Sequence, residues 1–139
     1  MKKRLNLEPL RKELILLKRF ASDEGILKEL EIVQICVKGK MKSVHTYIEA
    51  LCIPFICSPI TNQTIDLSEP HNQHFLNLEL ADEYNTQDKS VEILIGLDYF
   101  YNFIYGRTIR NTPNMLVALE STLGYILCGK NTSQSYKRY

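Results

Sequence analysis

Tryptophan is absent from this chain, and so is any marked excess of one charge. Eight Tyr and five Phe supply the aromatic bulk instead. With 17 basic and 16 acidic side chains the formal net charge is +1, so no strong field of one sign surrounds the whole molecule. No run approaches the roughly 18 apolar residues of a membrane span. No signal peptide is legible either: Met1-Lys2-Lys3-Arg4 is basic, but Leu5-Asn6-Leu7-Glu8 is not an apolar core. Cys36, Cys52, Cys57 and Cys128 form no CxxC pair, which removes the commonest zinc and redox spacings. Free thiols in a reducing, intracellular setting are expected. Gly39, Gly96 and Gly124 stand isolated, so nothing resembles a phosphate-binding loop.

What is present fits one soluble domain. A length of 139 residues falls within the usual range of roughly 100–200 residues per domain. Apolar content of 45% and charged content of 24% are ordinary for a globular protein. Residues 1–20 carry Lys2, Lys3, Arg4, Arg11, Lys12, Lys18 and Arg19 against Glu8 and Glu13, that is 7 − 2 = +5. No aromatics are interleaved there for base stacking, so a solvated face is expected and nucleic acid is not.

Period-two patterning dominates the first half. Residues 2–8 could form a short helix, ended by Pro9. The block Leu14-Ile15-Leu16-Leu17 fits a buried strand or a helix turn, and the surrounding Arg11–Phe20 segment is read as strand. Ala21-Ser22-Asp23-Glu24-Gly25 is a polar turn. From Ile26 to Lys38, Leu30, Ile32, Gln34 and Cys36 share one face and Val33, Ile35 and Val37 the other. That alternation, rich in β-branched residues, indicates a strand and a long hairpin with Leu14–Phe20. Val44–Ile53 makes a second hairpin with it, closed by Pro54 and Pro59.

Cys57–Ser90 has the weakest pattern, with one short strand expected over Phe75–Leu80. Val91–Ile95 then reads as a buried strand, Asp98–Ile104 as a short helix, and Arg107–Arg110 as an extended piece. Met115–Glu120 and Tyr125–Cys128 form a last hairpin around Ser121-Thr122-Leu123-Gly124. Residues 130–139 read as a flexible polar tail. The sum is mainly β with one or two short helices.

Few constellations carry chemistry. His71-x-x-His74 has the spacing of two metal ligands on a helix turn, but Pro70 precedes it and no Glu or Cys stands at ligand spacing, so a loop is expected. Cys52 and Cys57 could meet across the bend at Pro54, and two buried free thiols are the expectation. His45 lies in a strand with no Ser or Cys nucleophile motif beside it. Asp23-Glu24-Gly25 has Asp and Gly at a catalytic spacing, yet it has no hydroxyl residue between them and no apolar strand before it. A turn is expected there.

Several segments, in order, resemble the peptidase region of BEL/Pao-type retrotransposon polyproteins, which are retropepsin-like aspartic peptidases. They are Lys3-Arg4-Leu5-Asn6-Leu7, Tyr47–Pro54 with Ile56-Cys57-Ser58-Pro59, Leu78-Glu79-Leu80-Ala81-Asp82, Ile93–Phe100, Gly106, and Ala118–Gly129. Each segment alone is weak; the order and spacing over about Lys3–Gly129 make the match specific. The resemblance implies a retropepsin-like acid-protease barrel over residues 1–129, incomplete at its N-terminus. It assigns Leu94, Ile95 and Gly96 to the apolar-apolar-Gly element that packs beside the catalytic loop. Gly96 would permit close approach there, and Asp98 would cap the following helix.

Aspartic peptidases use two Asp-Thr-Gly or Asp-Ser-Gly loops, whose carboxylates share a proton so that one acts as base and the other as acid. The five aspartates here are Asp23, Asp66, Asp82, Asp88 and Asp98, and none is followed by Thr-Gly or Ser-Gly. In the family that motif precedes the segment matching Lys3–Leu7. The expectation is therefore a truncated, peptidase-like chain with no catalytic residue, no cofactor and no metal. A homodimer and an extended peptide or polyprotein are the partners the resemblance admits. A non-enzymatic peptide-binding or dimerisation module, co-opted from a transposon, is the alternative.

Overall fold

The computed structural model describes residues 3–18, 24–40, 43–60, 65–83, 90–111 and 115–130. The chain is mainly β, with six strands in two three-stranded sheets and one α-helix among the described residues. It gathers into two compact units. One comprises residues 1–37 and 45–56, the other residues 38–44 and 57–139. Both lie largely within the span expected as a single domain.

The first unit is built on β1 (Pro9–Lys18), β2 (Gly25–Lys38) and β3 (His45–Leu51), in that order across the sheet. Both hairpins expected from the period-two pattern are present. Pro9 stands at the first position of β1, where its missing N–H interrupts no ladder. Pro9 pairs with Val33 and Arg11 with Ile32, so two steps on β1 oppose one on β2 and Leu10 is the extra residue of a bulge. Beyond it the register runs unbroken to Lys18 opposite Gly25. β2 changes its buried face midway. Leu30 and Ile32 are buried on one side, then Val33 and Ile35 on the other, while Gln34 and Cys36 are exposed. The alternation that made both faces apolar in sequence is thus used one half at a time. A bond from the Cys52 N–H to the Glu31 carbonyl (2.8 Å) continues the pairing past β3.

The second unit holds the larger core. After a 3-10 turn at Gln73–Phe75 come α1 (Leu97–Phe103), β4 (Ile104–Arg110), β5 (Val117–Ser121) and β6 (Gly124–Cys128). The sheet order is β4-β5-β6, all antiparallel. Leu80 adds a parallel bridge to Tyr125. Phe75, Leu116, Ala118, Tyr125 and Leu127 form the buried cluster, with Ile65, Leu67, Leu78, Leu80 and Ile109 packed on it. Phe75 is fully buried, and burial of such a side chain contributes about 1.5–3 kcal/mol.

Four expectations need correction. Residues 3–6 form turns, and no helix occurs over 3–8; a lone turn before Pro9 is too short to repay helix nucleation. Phe75–Leu80 is not a strand: Phe75 ends the 3-10 turn, and only Leu80 pairs. Leu76 is exposed, and the residues that this compact loop sets on the core, Phe75, Leu78 and Leu80, do not keep period two. Val91–Ile95 is not a strand, and Leu94 is 79% exposed. Cys57 is exposed and Cys52 half-buried, both free, so they are not a pair of buried thiols. The turn residue Asp23 and the tail residues 131–139 lie outside the described residues.

Candidate functional site

The segment expected to receive a catalytic loop runs from Val91 into α1. Leu94 is exposed and Ile95 half-buried. Gly96 is the N-cap of α1, and its carbonyl accepts hydrogen bonds from Tyr99 N–H (3.2 Å) and Phe100 N–H (3.0 Å). Gly96 is extended (φ −77, ψ 172), a conformation open to any residue. A Cβ built there would meet only the Asp98 carboxylate, with Oδ1 2.5 Å away. The room at Gly96 is therefore occupied by the tip of Asp98. Asp98 stands in the first turn of α1, where its charge complements the helix dipole. No side-chain cap bond is made at this helix start.

Close approach of main chains occurs instead at the turn Ser121-Thr122-Leu123-Gly124. Gly124 has φ +115, and a Cβ on it would lie 2.8 Å from the Glu79 carbonyl oxygen and 2.9 Å from the Ala81 nitrogen. The absence of a side chain lets Tyr125 N–H donate to Glu79 O (2.8 Å) and Ala81 N–H donate to Tyr125 O (2.9 Å). Leu78-Glu79-Leu80-Ala81-Asp82 is thereby held along the start of β6.

Two buried hydroxyls complete the turn. Ser121 Oγ donates to Gly124 O (2.5 Å) and accepts from Leu123 N–H (3.1 Å). Thr122 N–H donates to Phe103 O (2.8 Å) at the end of α1, and its hydroxyl lies 3.2 Å from the same oxygen and 3.3 Å from the Tyr105 hydroxyl. Both residues are fully buried, so Ser121 and Thr122 are fasteners rather than nucleophiles. Lys40 joins this group through its N–H to Thr122 O (2.9 Å) and its ammonium to Leu80 O (3.3 Å). Sequence reasoning found the turn but not these roles. The hydroxyl pair directly before Leu-Gly was the available signal.

Among the described carboxylates, Asp66 and Asp82 accept hydrogen bonds from near neighbours in the chain. Asp66 accepts Ser68 Oγ–H (2.6 Å) and Ser68 N–H (2.8 Å), which hold its pKa below the ordinary carboxylate value. A carboxylate stabilised in its charged form is poorly suited to act as an acid. Asp82 accepts the N–H of Glu83 (2.9 Å). Glu69 Oε2 and His71 Nε2 lie 2.9 Å apart, and the His74 and Phe75 rings, tilted by 43°, have centroids 3.7 Å apart. Among the described residues no group of three His, Cys, Asp or Glu is placed to hold a metal ion.

The outer half of the β1–β2 hairpin is the other distinctive surface. Leu14, Leu16 and Leu27 are exposed on one face, and Ile26 beside half-buried Leu17 on the other. Its base is charged: Arg11 bonds Glu49 (2.6 Å) and Glu13 (2.7 Å), and Lys12 lies 3.3 Å from Glu29. Arg11 holds the Glu49 carboxyl below its ordinary pKa.

No protein-family model matches the chain, and neither does any curated protein or solved structure. No helix among the described residues is long and apolar enough to cross a membrane.

Proposed function

We propose that this chain is a retrotransposon-derived, retropepsin-like aspartic endopeptidase domain without proteolytic activity of its own. The observation that carries the reading is the ordered set of motifs from Lys3-Arg4-Leu5-Asn6-Leu7 to Ala118–Gly129, with no Asp-Thr-Gly or Asp-Ser-Gly among 139 residues. The unpaired Ile93-Leu94-Ile95 main chain supports it. In the family this element packs beside the catalytic loop, and here it has no ladder partner among the described residues.

A second reading, a peptide-binding or dimerisation module, is favoured by the exposed apolar hairpin and by main chain left open for strand addition. Such a module would keep the peptidase framework and use it for binding.

The test has two arms. The chain itself is expected to show no pepstatin-sensitive cleavage of peptides at acid pH; turnover would overturn the inactive reading. Residues 3–129 joined behind an apolar strand ending in Asp-Ser-Gly are expected to gain that cleavage. A folded fusion that gains none removes the support for peptidase ancestry.

A further inference from the structure

The loop that anchors Phe75 keeps polar atoms buried and unanswered. Glu69 Oε2 and His71 Nε2 are shut off from solvent and lie 2.9 Å apart, yet the pair lacks the alignment of a hydrogen bond. Both ring nitrogens of His74 are also buried, with no hydrogen-bond partner among the described residues. A buried polar atom left without a partner costs about 1–3 kcal/mol, and four such atoms fall within residues 69–74. The loop around them is firmly held. Asn72, 2% exposed, donates through Nδ2 to Asp66 O (2.9 Å) and through its N–H to Glu69 O (2.8 Å). Gln73 Nε2 donates to Ser68 O (3.3 Å), and Phe75 N–H donates to Asn72 O (2.9 Å). These are consecutive three-residue turns, in which side chains three apart eclipse, so His71 and His74 leave the chain on the same side.

We propose that Glu69 and His71 seat a divalent transition cation of the zinc or cobalt kind, with His74 turning in as the third ligand. The spacing of the two atoms selects a cation over water. A water bonded to both would set them about 4.5 Å apart, given hydrogen bonds of about 2.8 Å. Two ligands about 2.0–2.1 Å from a metal, at a right angle, stand about 2.9 Å apart. An imidazole beside a carboxylate suits zinc, cobalt or nickel, whereas calcium and magnesium take oxygen ligands throughout. Glu69 and His71 converge as they stand, and no third ligand stands with them. His74 gives up no hydrogen bond on turning towards them, only its contact with the Phe75 ring. Water fills the remaining positions, as in open metal sites. The seat rests on these buried atoms and not on peptidase ancestry, so it holds or fails independently of the cleavage assays.

Titration of the full chain, stripped with a chelator, by Co²⁺ gives the test, read by calorimetry and by absorption. The expected result is one cation per chain at a micromolar dissociation constant, without the near-ultraviolet band of a cobalt thiolate. His71→Ala and His74→Ala are each expected to weaken binding at least about tenfold, while His45→Ala, on β3, leaves it unchanged. No binding in the micromolar range overturns the proposal. So does a thiolate band, which would place the metal on the cysteines, or an affinity that His71→Ala leaves unchanged. Should a variant misfold by circular dichroism, NMR of the unaltered chain decides: Co²⁺ must broaden the ring signals of His71 and His74, and sharp signals overturn the seat.

Discussion

Gly96 and Gly124 show how far a glycine's meaning depends on what lies across from it. Gly96 follows an apolar run and opens a helix, so sequence marks it as the place of close approach. Its backbone is ordinary, and only Asp98's flexible tip occupies the space. Gly124 sits in a turn that sequence marks only as a hairpin end, yet it lets Glu79 and Ala81 reach Tyr125. The contact comes from residues far away in sequence, which no local pattern displays. Gly124→Ala is expected to cost at least about 2 kcal/mol, since the left-handed backbone conformation is strained for alanine and the Glu79–Ala81 main chain must move. Gly96→Ala should cost less than about 1 kcal/mol. Urea midpoints of the two variants check the order, and equal losses would sink the distinction.

Glu49 offers a residue-scale test of the charged hairpin base. Its pKa is lowered from 4.5, first by the hydrogen bond from Arg11. A carboxylate lowered in the folded state contributes stability above its unfolded pKa and loses it as pH falls through the folded one. Glu49→Gln should therefore lower the urea midpoint slightly at neutral pH, and the gap should close on acidification below about 4.5. The pair is solvent-exposed, so added salt should shrink the gap as well. A gap that widens in acid contradicts the assignment.

At the scale of elements, the period-two pattern served well where partner strands are sequence neighbours. β1 to β3 and β5 to β6 are joined by short connections, and both sets were legible. The same rule failed at Val91–Ile95 and Phe75–Leu80. Alternation reports that one side of an extended segment is covered; it does not report a hydrogen-bonded neighbour. Apolar content also overstated burial in the outer β1–β2 hairpin, where Leu14 is 65% exposed and Leu27 57%. Amides of Leu16, Leu17, Ile26 and Leu27 are therefore expected to exchange faster than those of Ala118, Leu119 and Ile126. Hydrogen-exchange mass spectrometry reads this directly, and uniform protection would show the hairpin covered in solution.

For the whole molecule, composition fixed the class and little else. A mainly β chain with one short helix follows from β-branched alternation and well-spaced turns. The division into two compact units does not, because no linker or composition shift marks it: residues 38–44 belong with residues 57–139, although the β2 residues before them and β3 after them belong to the other unit. The proposed peptidase ancestry rests on a set of motifs in the sequence and on a missing Asp-Ser/Thr-Gly. The fastener at Thr122 was not legible, since its partners Phe103 and Tyr105 lie 19 and 17 residues earlier in the chain, beyond the reach of any local pattern.

The bridge from Leu80 to Tyr125 has a consequence in time. A ribosome adds roughly 5–20 residues per second, so the interval between these two residues lasts about 2–9 s. For most of that interval Phe75, Leu78 and Leu80 have been made while β5 and β6, which carry the core they pack on, have not. The nascent chain thus presents an apolar loop with no cover of its own, and a chaperone that grips short apolar segments meets its best opportunity then rather than after release.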